Sequence, residues 1–281
     1  MNPAPSVIIF SVLSGLGFGF LAYLGAGIIR PDGWVAFVLW GLGYGLAIAG
    51  LLAATFHLGN PANAIKAFSQ WRTSWLSREA WASVATLLIL SPVALSDWLH
   101  LGWPRLPGMI GAAVALFTVF TTAMIYTQIK AVPRWHHWIT PLMFLAFALA
   151  GGAILAGLGL LATALLVMLS AILPIVWSVG DGQFARAGAT LGTATGLDRI
   201  GDVAVFERPH TGGNYLTREM IHVVGRKHAQ KLRVIAVVLA GVFPALLLAV
   251  PPSGPIIVAV AAVSHLTGAF AARWLFFAEA E

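Results

Sequence analysis

Residues 57–81 read HLGNPANAIKAFSQWRTSWLSREAW and separate two long apolar runs. The stretch holds one histidine, three cations, one carboxylate and three tryptophans, more ionisable groups than all the residues before it. Gly59 and Pro61 end the preceding run, because proline cannot continue a helix. A polar segment between two apolar runs predicts a hairpin at a membrane surface, and we assign this polar interfacial hairpin to residues 57–79.

Composition excludes an ordinary soluble domain. Hydrophobic residues make up 59% of the chain and charged residues only 9%, with a mean hydropathy of +0.88, whereas soluble domains are about 25% charged. Apolar runs long enough to cross about 30 Å of hydrocarbon predict eight spans. They are residues 7–29, 34–56, 80–98, 108–130, 138–157, 160–180, 232–250 and 255–277. We therefore predict an all-α integral membrane protein, with residues 1–281 as a single transmembrane domain built as a bundle of eight transmembrane helices.

The distribution of lysine and arginine orients the bundle. Fourteen of the 16 follow the second, fourth and sixth spans or lie near the C-terminal end, where Arg273 is counted, and only Arg30 and Arg105 lie on the opposite side. Because basic residues collect on the cytoplasmic side, both termini are predicted to be cytoplasmic. The isoelectric point near 10.2 then indicates anionic lipid rather than nucleic acid as a partner.

The chain contains no cysteine. It therefore cannot ligate an iron–sulfur cluster through thiolates or form a disulfide. A haem held by two histidines needs both imidazoles at similar depth, and of eight histidines only His265 lies well inside a predicted span. We expect no haem, no metal site and no catalytic residue in this chain, and a hydrogen-bonded interior role for His265.

Two interpretations of Glu79 stay open. Ser77 could cap the third span and place Glu79 in its first turn, where the helix dipole favours an acid. Alternatively, His57 and Glu79 share the basic interface and exchange protons with a hydroxylated ring. A similar segment, NYLTRE at 214–219, follows SWLSRE at 74–79 with an offset of 140 residues, so a four-plus-four duplication is a further possibility.

Residues 181–231 are predicted to form a long cytoplasmic loop. Loops longer than about 15 residues usually have a function. The loop is either a basic collar on lipid headgroups or a docking platform for a soluble protein. The candidate docking residues are Arg208, Tyr215, Arg218, Glu219, Arg226 and Lys227.

Four segments resemble the membrane anchor subunits of dimethyl sulfoxide reductase-type enzymes, the DmsC family. They are HLGNPANAIKAF with SWLSRE, MIYTQIKAVPRWHHWITP, NYLTREMIHVVGRKHAQKLR and RWLFFAEA. Within that family they are most similar to the anchors of cytoplasm-facing sulfite:quinone oxidoreductases. The resemblance runs from about residue 7 to the C-terminus. It implies an eight-helix anchor without haem, which binds quinone and holds a molybdopterin catalytic subunit and an iron–sulfur subunit on the membrane.

The family associates quinol binding with a histidine of the His-Leu-Gly motif and a glutamate at the start of the next span, which correspond to His57 and Glu79. Quinone reduction takes up two protons and two electrons, so ionisable groups at the interface and a redox centre in a partner are needed. His57 would donate to a ring oxygen or carry a proton, and Glu79 would accept or relay one. The candidate quinone-binding residues are His57, Glu79, Arg78, Trp75, Trp71 and Arg72.

In this interpretation Arg72, Arg78 and Lys66 meet lipid phosphates or the partner, and Trp71 and Trp75 wall the pocket. We expect the anchor and quinone-binding subunit of a heterotrimeric molybdopterin oxidoreductase in the bacterial cytoplasmic (inner) membrane, with menaquinone or ubiquinone as its cofactor. The cytoplasmic basic face favours oxidation of a cytoplasmic substrate such as sulfite.

Three alternatives differ in what they require. A DMSO reductase-type complex would oxidise quinol at the same site. A secondary transporter would need a buried ionisable group near mid-membrane, and apart from His265 the spans show none. A purely structural anchor would use Glu79 only as a helix-terminal acid, so that its replacement by glutamine would spare turnover.

Overall fold

A computed structural model describes residues 4–57, 61–206, 223–250 and 254–280. Within these ranges the chain forms helices and no strand. The helices are α1 (Pro5–Gly25), α2 (Gly33–Ala53), α3 (Trp75–Leu99), α4 (Leu106–Thr127), α5 (Ile139–Leu155), α6 (Gly159–Ala187), α7 (Leu191–Thr195), α8 (Val223–Val237), α9 (Phe243–Leu248) and α10 (Pro255–Ala278). Short 3₁₀ segments occupy Ala54–His57, Pro61–Phe68 and Leu197–Arg199, and a π-helical turn at Val238–Val242 joins α8 to α9.

All eight predicted spans coincide with apolar helices. In the described part of the chain, seven helices are at least 18 residues long and apolar enough to cross a membrane. One of them, His228–Leu248, is a continuous helix made of most of α8, the π turn and α9. The remaining helix, α5, has 17 residues, the lower end of the usual range for a crossing. The prediction of an all-helical multi-pass membrane protein is consistent with this architecture, while the count of eight crossings and the sides of the termini remain predictions.

Helices α1 and α5 form the centre of the bundle. Thirteen of the 17 residues of α5 are buried, and α1 packs against α2, α4 and α5. Gly19 of α1 and Gly152 of α5 let the two backbones touch, because a Cβ at either position would overlap the backbone of the other helix. In a lipid bilayer, helix association relies on close van der Waals packing rather than on the hydrophobic effect, and small residues at a crossing allow that packing.

The π turn at Val238–Val242 is held by side chains of α10. A π turn leaves carbonyl groups without their usual helical donors. Ser264 Oγ donates to Leu239 O at 2.9 Å, and His265 Nδ1 donates to Ala240 O at 2.6 Å. The expectation of a hydrogen-bonded interior role for His265 is confirmed.

Three buried charged residues lie near helix ends in the described part of the chain. The sequence interpretation identified only His265 as an interior ionisable group and missed them. Asp97, near the end of α3, accepts from Trp40 Nε1 at 3.1 Å and from Arg105 Nη2 at 2.6 Å. Glu79 in α3 and Arg273 in α10 are also buried. The count of basic residues by side includes Arg273, but its side chain is buried inside the bundle.

The proposed loop at 181–231 begins later than expected. Helix α6 continues to Ala187, and α8 begins at Val223. Between them, the described residues form α7 and the 3₁₀ turn Leu197–Arg199. The cytoplasmic location of this segment remains a prediction.

Candidate functional site

Hydrogen bonds tie residues 67–72 of the polar hairpin to the start of α3. Trp81 Nε1 donates to Phe68 O at 3.0 Å, and its ring packs edge-on against the Phe68 ring. Ser77 Oγ donates to Ala67 O and accepts from the backbone N–H of Gln70 at 3.2 Å. These contacts fold the 3₁₀ segment Pro61–Phe68 back onto α3.

The start of α3 differs from the predicted one. The helix begins at Trp75, its N-cap is Ser74 without a side-chain cap, and its first turn contains no acid. The interpretation of Ser77 as a helix cap is therefore wrong, since its hydroxyl bonds the hairpin instead. Glu79 lies in the second turn, where the interaction with the helix dipole is weaker.

Arg78 bonds the backbone of the hairpin. Its Nε donates to Trp71 O at 3.1 Å and its Nη2 donates to Arg72 O at 2.7 Å. The guanidinium also lies 4.3 Å from the centre of the Trp75 ring. The two hydrogen bonds use two of the five N–H donors of Arg78, and they hold the hairpin against the start of α3.

Of the three other aromatic and basic candidates, Trp71 and Arg72 are exposed at the surface and Trp75 is half-buried. Trp71 is 56% exposed, and the guanidinium of Arg72 lies 5.4 Å from its ring centre. Trp75 is half-buried and packs edge-on against Phe120 of α4, with ring centres 6.0 Å apart. A headgroup at the interface would meet Trp71 and Arg72 first.

Glu79 points into the bundle. Its side chain is 4% exposed, and Thr122 of α4 places its hydroxyl 2.5 Å from Glu79 Oε1. The same hydroxyl lies 3.0 Å from Thr118 O. Thr122 can thus donate to an ionised Glu79, or accept from a protonated Glu79 while donating to Thr118. The carboxyl group keeps a hydrogen bond in both protonation states, as a proton carrier requires.

Behind Glu79 lies a layer of polar side chains that the sequence interpretation did not find. Tyr126, one turn after Thr122 on α4, packs against the Phe144 ring, with ring centres 5.8 Å apart. Arg273 is 4% exposed and its guanidinium stacks 3.5 Å from the centre of the Phe144 ring. The sequence offered one signal for this layer, because Arg273 lies inside the predicted span 255–277. Charges inside spans are rare and usually functional.

His57 is placed only in its backbone. It ends the 3₁₀ segment Ala54–His57, which follows α2 and contacts α1 and the segment Pro61–Phe68. Its side chain lies outside the described residues, so its pairing with Glu79 remains a prediction.

The docking candidates also lie largely outside the described part of the chain. Arg208, Tyr215, Arg218 and Glu219 belong to residues 207–222, which the structure does not describe. Arg226 and Lys227 lie in the first turns of α8, where only the backbone is described. Their docking role remains a prediction.

An ion cluster at the same end of the bundle was missed because its members are distant in sequence. Arg233 of α8 donates to Asp181 of α6 at 2.9 Å and to Glu279, just after α10, at 3.0 Å. Arg134, between α4 and α5, pairs with both acids. Two of the cations assigned to the basic face are therefore neutralised within the chain.

No group of three or more histidine, aspartate or glutamate side chains is arranged to hold a metal ion within the described ranges.

Comparison with known proteins identifies the family of this chain. The family model described as DMSO reductase anchor subunit (DmsC) matches residues 6–278. A sulfite dehydrogenase subunit of Allochromatium vinosum is 30% identical over 317 aligned residues, which cover 100% of this chain and 96% of the relative. No solved structure matches the chain. Because the family match covers nearly the whole sequence, this chain belongs to the DMSO reductase anchor subunit family, DmsC.

Proposed function

We propose that this chain is the membrane anchor and quinone-binding subunit of a heterotrimeric molybdopterin oxidoreductase of the bacterial cytoplasmic membrane. Membership of the anchor subunit family supports the anchoring role. The absence of cysteine means that any thiolate-bound iron–sulfur cluster belongs to a partner. Electrons then pass between the quinone pool and the iron–sulfur subunit, and the molybdopterin subunit acts on the substrate.

The observation that carries the quinone proposal is the buried Glu79 carboxyl group, bonded by Thr122 next to the polar hairpin. A quinone ring enters from the lipid beside Trp71 and Trp75, and His57 is the proposed hydrogen-bond donor to a ring oxygen, as the family resemblance implies. Glu79 accepts or supplies a proton from the bundle side. Arg78 keeps the hairpin closed over the site through its bonds to the carbonyl groups of Trp71 and Arg72.

We propose sulfite as the substrate of the catalytic subunit, with electrons passing to menaquinone or ubiquinone. The relative from Allochromatium vinosum supports this choice through its name, a sulfite dehydrogenase subunit, and through its full-length similarity. A DMSO reductase-type complex that oxidises quinol is the second candidate, favoured by the description of the family. The same Glu79 site serves both directions of electron flow.

The decisive experiment compares quinone turnover by the purified complex in wild type and Glu79→Gln. Glutamine keeps the shape and the bond to Thr122 but cannot carry a proton. We expect quinone-dependent sulfite oxidation to fall at least about tenfold, with assembly and the oxidation of sulfite by an artificial electron acceptor unchanged. Glu279→Gln is the matched control, because Glu279 is a carboxylate at the same end of the bundle that belongs to the ion cluster.

Unchanged quinone turnover in Glu79→Gln would contradict the proposed role and support the purely structural anchor. Loss of turnover with every acceptor would place the defect in assembly rather than in quinone chemistry. Mass spectrometry of the purified complex identifies the co-purifying subunits and the bound quinone.

A further inference from the structure

A small cavity lies inside the bundle at the end that carries the hairpin. It is about 20 Å³ in volume, which is enough for one water molecule. Its polar lining comes from three helices that are distant in sequence. The residues are Ser11 and Ser14 of α1, Thr122 of α4, and His265 and Arg273 of α10.

Arg273 lacks a partner for part of its guanidinium. Its Nη1 is buried and has no hydrogen-bond partner among the described residues, and none of their carboxylates forms an ion pair with it. Stacking on Phe144 covers one face of the guanidinium but offers no acceptor for the N–H groups. An arginine inside a membrane bundle normally pairs with an acid, a carbonyl group or water.

Glu79, Thr122 and Arg273 lie at similar depth. Glu79 follows the start of α3 by about 6 Å along the helix axis, and Thr122 and Arg273 each precede the end of their helix by about 7.5 Å, at about 1.5 Å per residue. Thr122 bonds Glu79 and also lines the cavity. Tyr126, one turn after Thr122, packs against the Phe144 ring on which Arg273 stacks, so Arg273 lies close to the part of α4 that bonds Glu79.

We propose that the cavity is an internal water site through which Arg273 acts as the counter-charge of Glu79. One water molecule accepts a hydrogen bond from Arg273 Nη1 and donates to Thr122 Oγ1. Thr122 then turns its single hydroxyl hydrogen toward Glu79 rather than toward Thr118. Arg273 is a positioning residue, because it acts on Glu79 through the water molecule and Thr122.

Among the described residues, Glu79 and Arg273 are the two buried charged side chains in this layer of the bundle. From α4 the titratable group is Tyr126, and from α10 it is Arg273. Arg78, the neighbour of Glu79 on α3, is directed to the hairpin carbonyl groups. His265 lines the cavity, but its Nδ1 is bonded to Ala240. Helices α1 and α5 contribute hydroxyl groups and phenylalanine rings to this layer.

The first test is a cryo-electron microscopy map of the full-length protein, with the subunits that co-purify, at a resolution that shows ordered water. We expect density for one water molecule within about 3.2 Å of Arg273 Nη1. An empty cavity in a map that shows other buried water molecules would overturn the water site.

The second test is a double-mutant cycle with Glu79→Gln and Arg273→Met, measured as the thermal midpoint of the same preparation. Each single substitution leaves one buried charge without its counterpart, so we expect each to lower the midpoint by roughly 5 °C or more. The double variant should recover most of that loss. Glu79→Gln combined with Arg105→Gln is the control, because Arg105 pairs with Asp97 at the other end of α3. The drops in thermal midpoint caused by these two distant substitutions should simply add.

Infrared difference spectra, recorded against Glu79→Gln, report the protonation state of Glu79. They therefore distinguish an effect of Arg273 on Glu79 from a general effect of Arg273 on stability. We expect an ionised Glu79 in wild type and in Arg273→Lys at neutral pH, and a protonated carboxyl band in Arg273→Met. Additive losses in the cycle, or the same Glu79 band in all three proteins, would refute the counter-charge. This inference deepens the proposed function, but no readout uses quinone, so it can fail while the quinone proposal stands.

Discussion

At the scale of single residues, Thr122 determines what Glu79 can do. A carboxyl group that is 4% exposed pays a large desolvation cost when ionised, unless donors replace the lost water. Thr122 is the donor that the structure provides, at 2.5 Å. Because Thr118 O accepts the same hydroxyl hydrogen at 3.0 Å, the site is also satisfied when Glu79 is protonated.

Replacing Thr122 by valine removes this hydroxyl without changing the side-chain shape. We expect Thr122→Val to lower the stability by about 1–3 kcal/mol, because the buried Glu79 loses its partner, and to slow quinone turnover. Thr121→Val is the control, since buried Thr121 bonds only the carbonyl of Thr118 in its own helix. Thermal unfolding of the purified protein measures both variants, and equal losses would argue against a special role for Thr122.

At the scale of secondary structure, α3 shows what a sequence predicts and what it does not. The apolar run and the polar hairpin were sufficient to predict the helix, because hydrocarbon thickness sets the length of a span. The side on which Glu79 lies depends on the packing of α3 against α4, since its partner Thr122 is 43 residues away. Local patterns such as a cap at Ser77 therefore gave the wrong account of both Ser77 and the helix start.

The turn between α4 and α5 uses two histidines in opposite roles. His136 Nδ1 donates to Thr127 O at the end of α4, at 2.6 Å. His137 Nδ1 accepts from the backbone N–H of Ile139 at the start of α5, at 3.2 Å. Partial burial and the proximity of Arg186 and His136 lower the pKa of His137 below its ordinary value. His137 therefore acts as a neutral acceptor.

This arrangement predicts a pH dependence. Since the pKa of His137 is lower in the folded protein than its ordinary value of 6.5, the unfolded chain binds the proton first as the pH falls. The stabilising contribution is present above about pH 6.5 and is lost at lower pH. His137→Asn keeps an acceptor that does not titrate, so its thermal midpoint should fall less than that of wild type between about pH 7.5 and about pH 5.5. An equal fall in both proteins would contradict the assignment.

At the scale of the whole molecule, the distribution of charge is less one-sided than a count of lysine and arginine indicates. Arg134 and Arg233 are neutralised by Asp181 and Glu279, and Arg273 is buried. A count treats every cation as exposed, because the sequence does not show which charges the fold pairs or buries. The cations left for lipid or a partner are then concentrated in the hairpin and in the segment that leads into α8.

This distribution leads to a prediction about assembly. If the basic segment around the start of α8 is a docking platform, reversing the charges of Arg226 and Lys227 should abolish most co-purification of the iron–sulfur and molybdopterin subunits, because complementary charge guides and orients docking. Arg30→Glu is the control, since Arg30 lies on the side predicted to face away from the partners. Fluorescence of a C-terminal green fluorescent protein fusion, expected only for a cytoplasmic terminus, verifies that the reversal has not inverted the topology. Full recovery of the partner subunits by the Arg226→Glu/Lys227→Glu variant would assign this basic segment to lipid headgroups and move the docking surface to the hairpin.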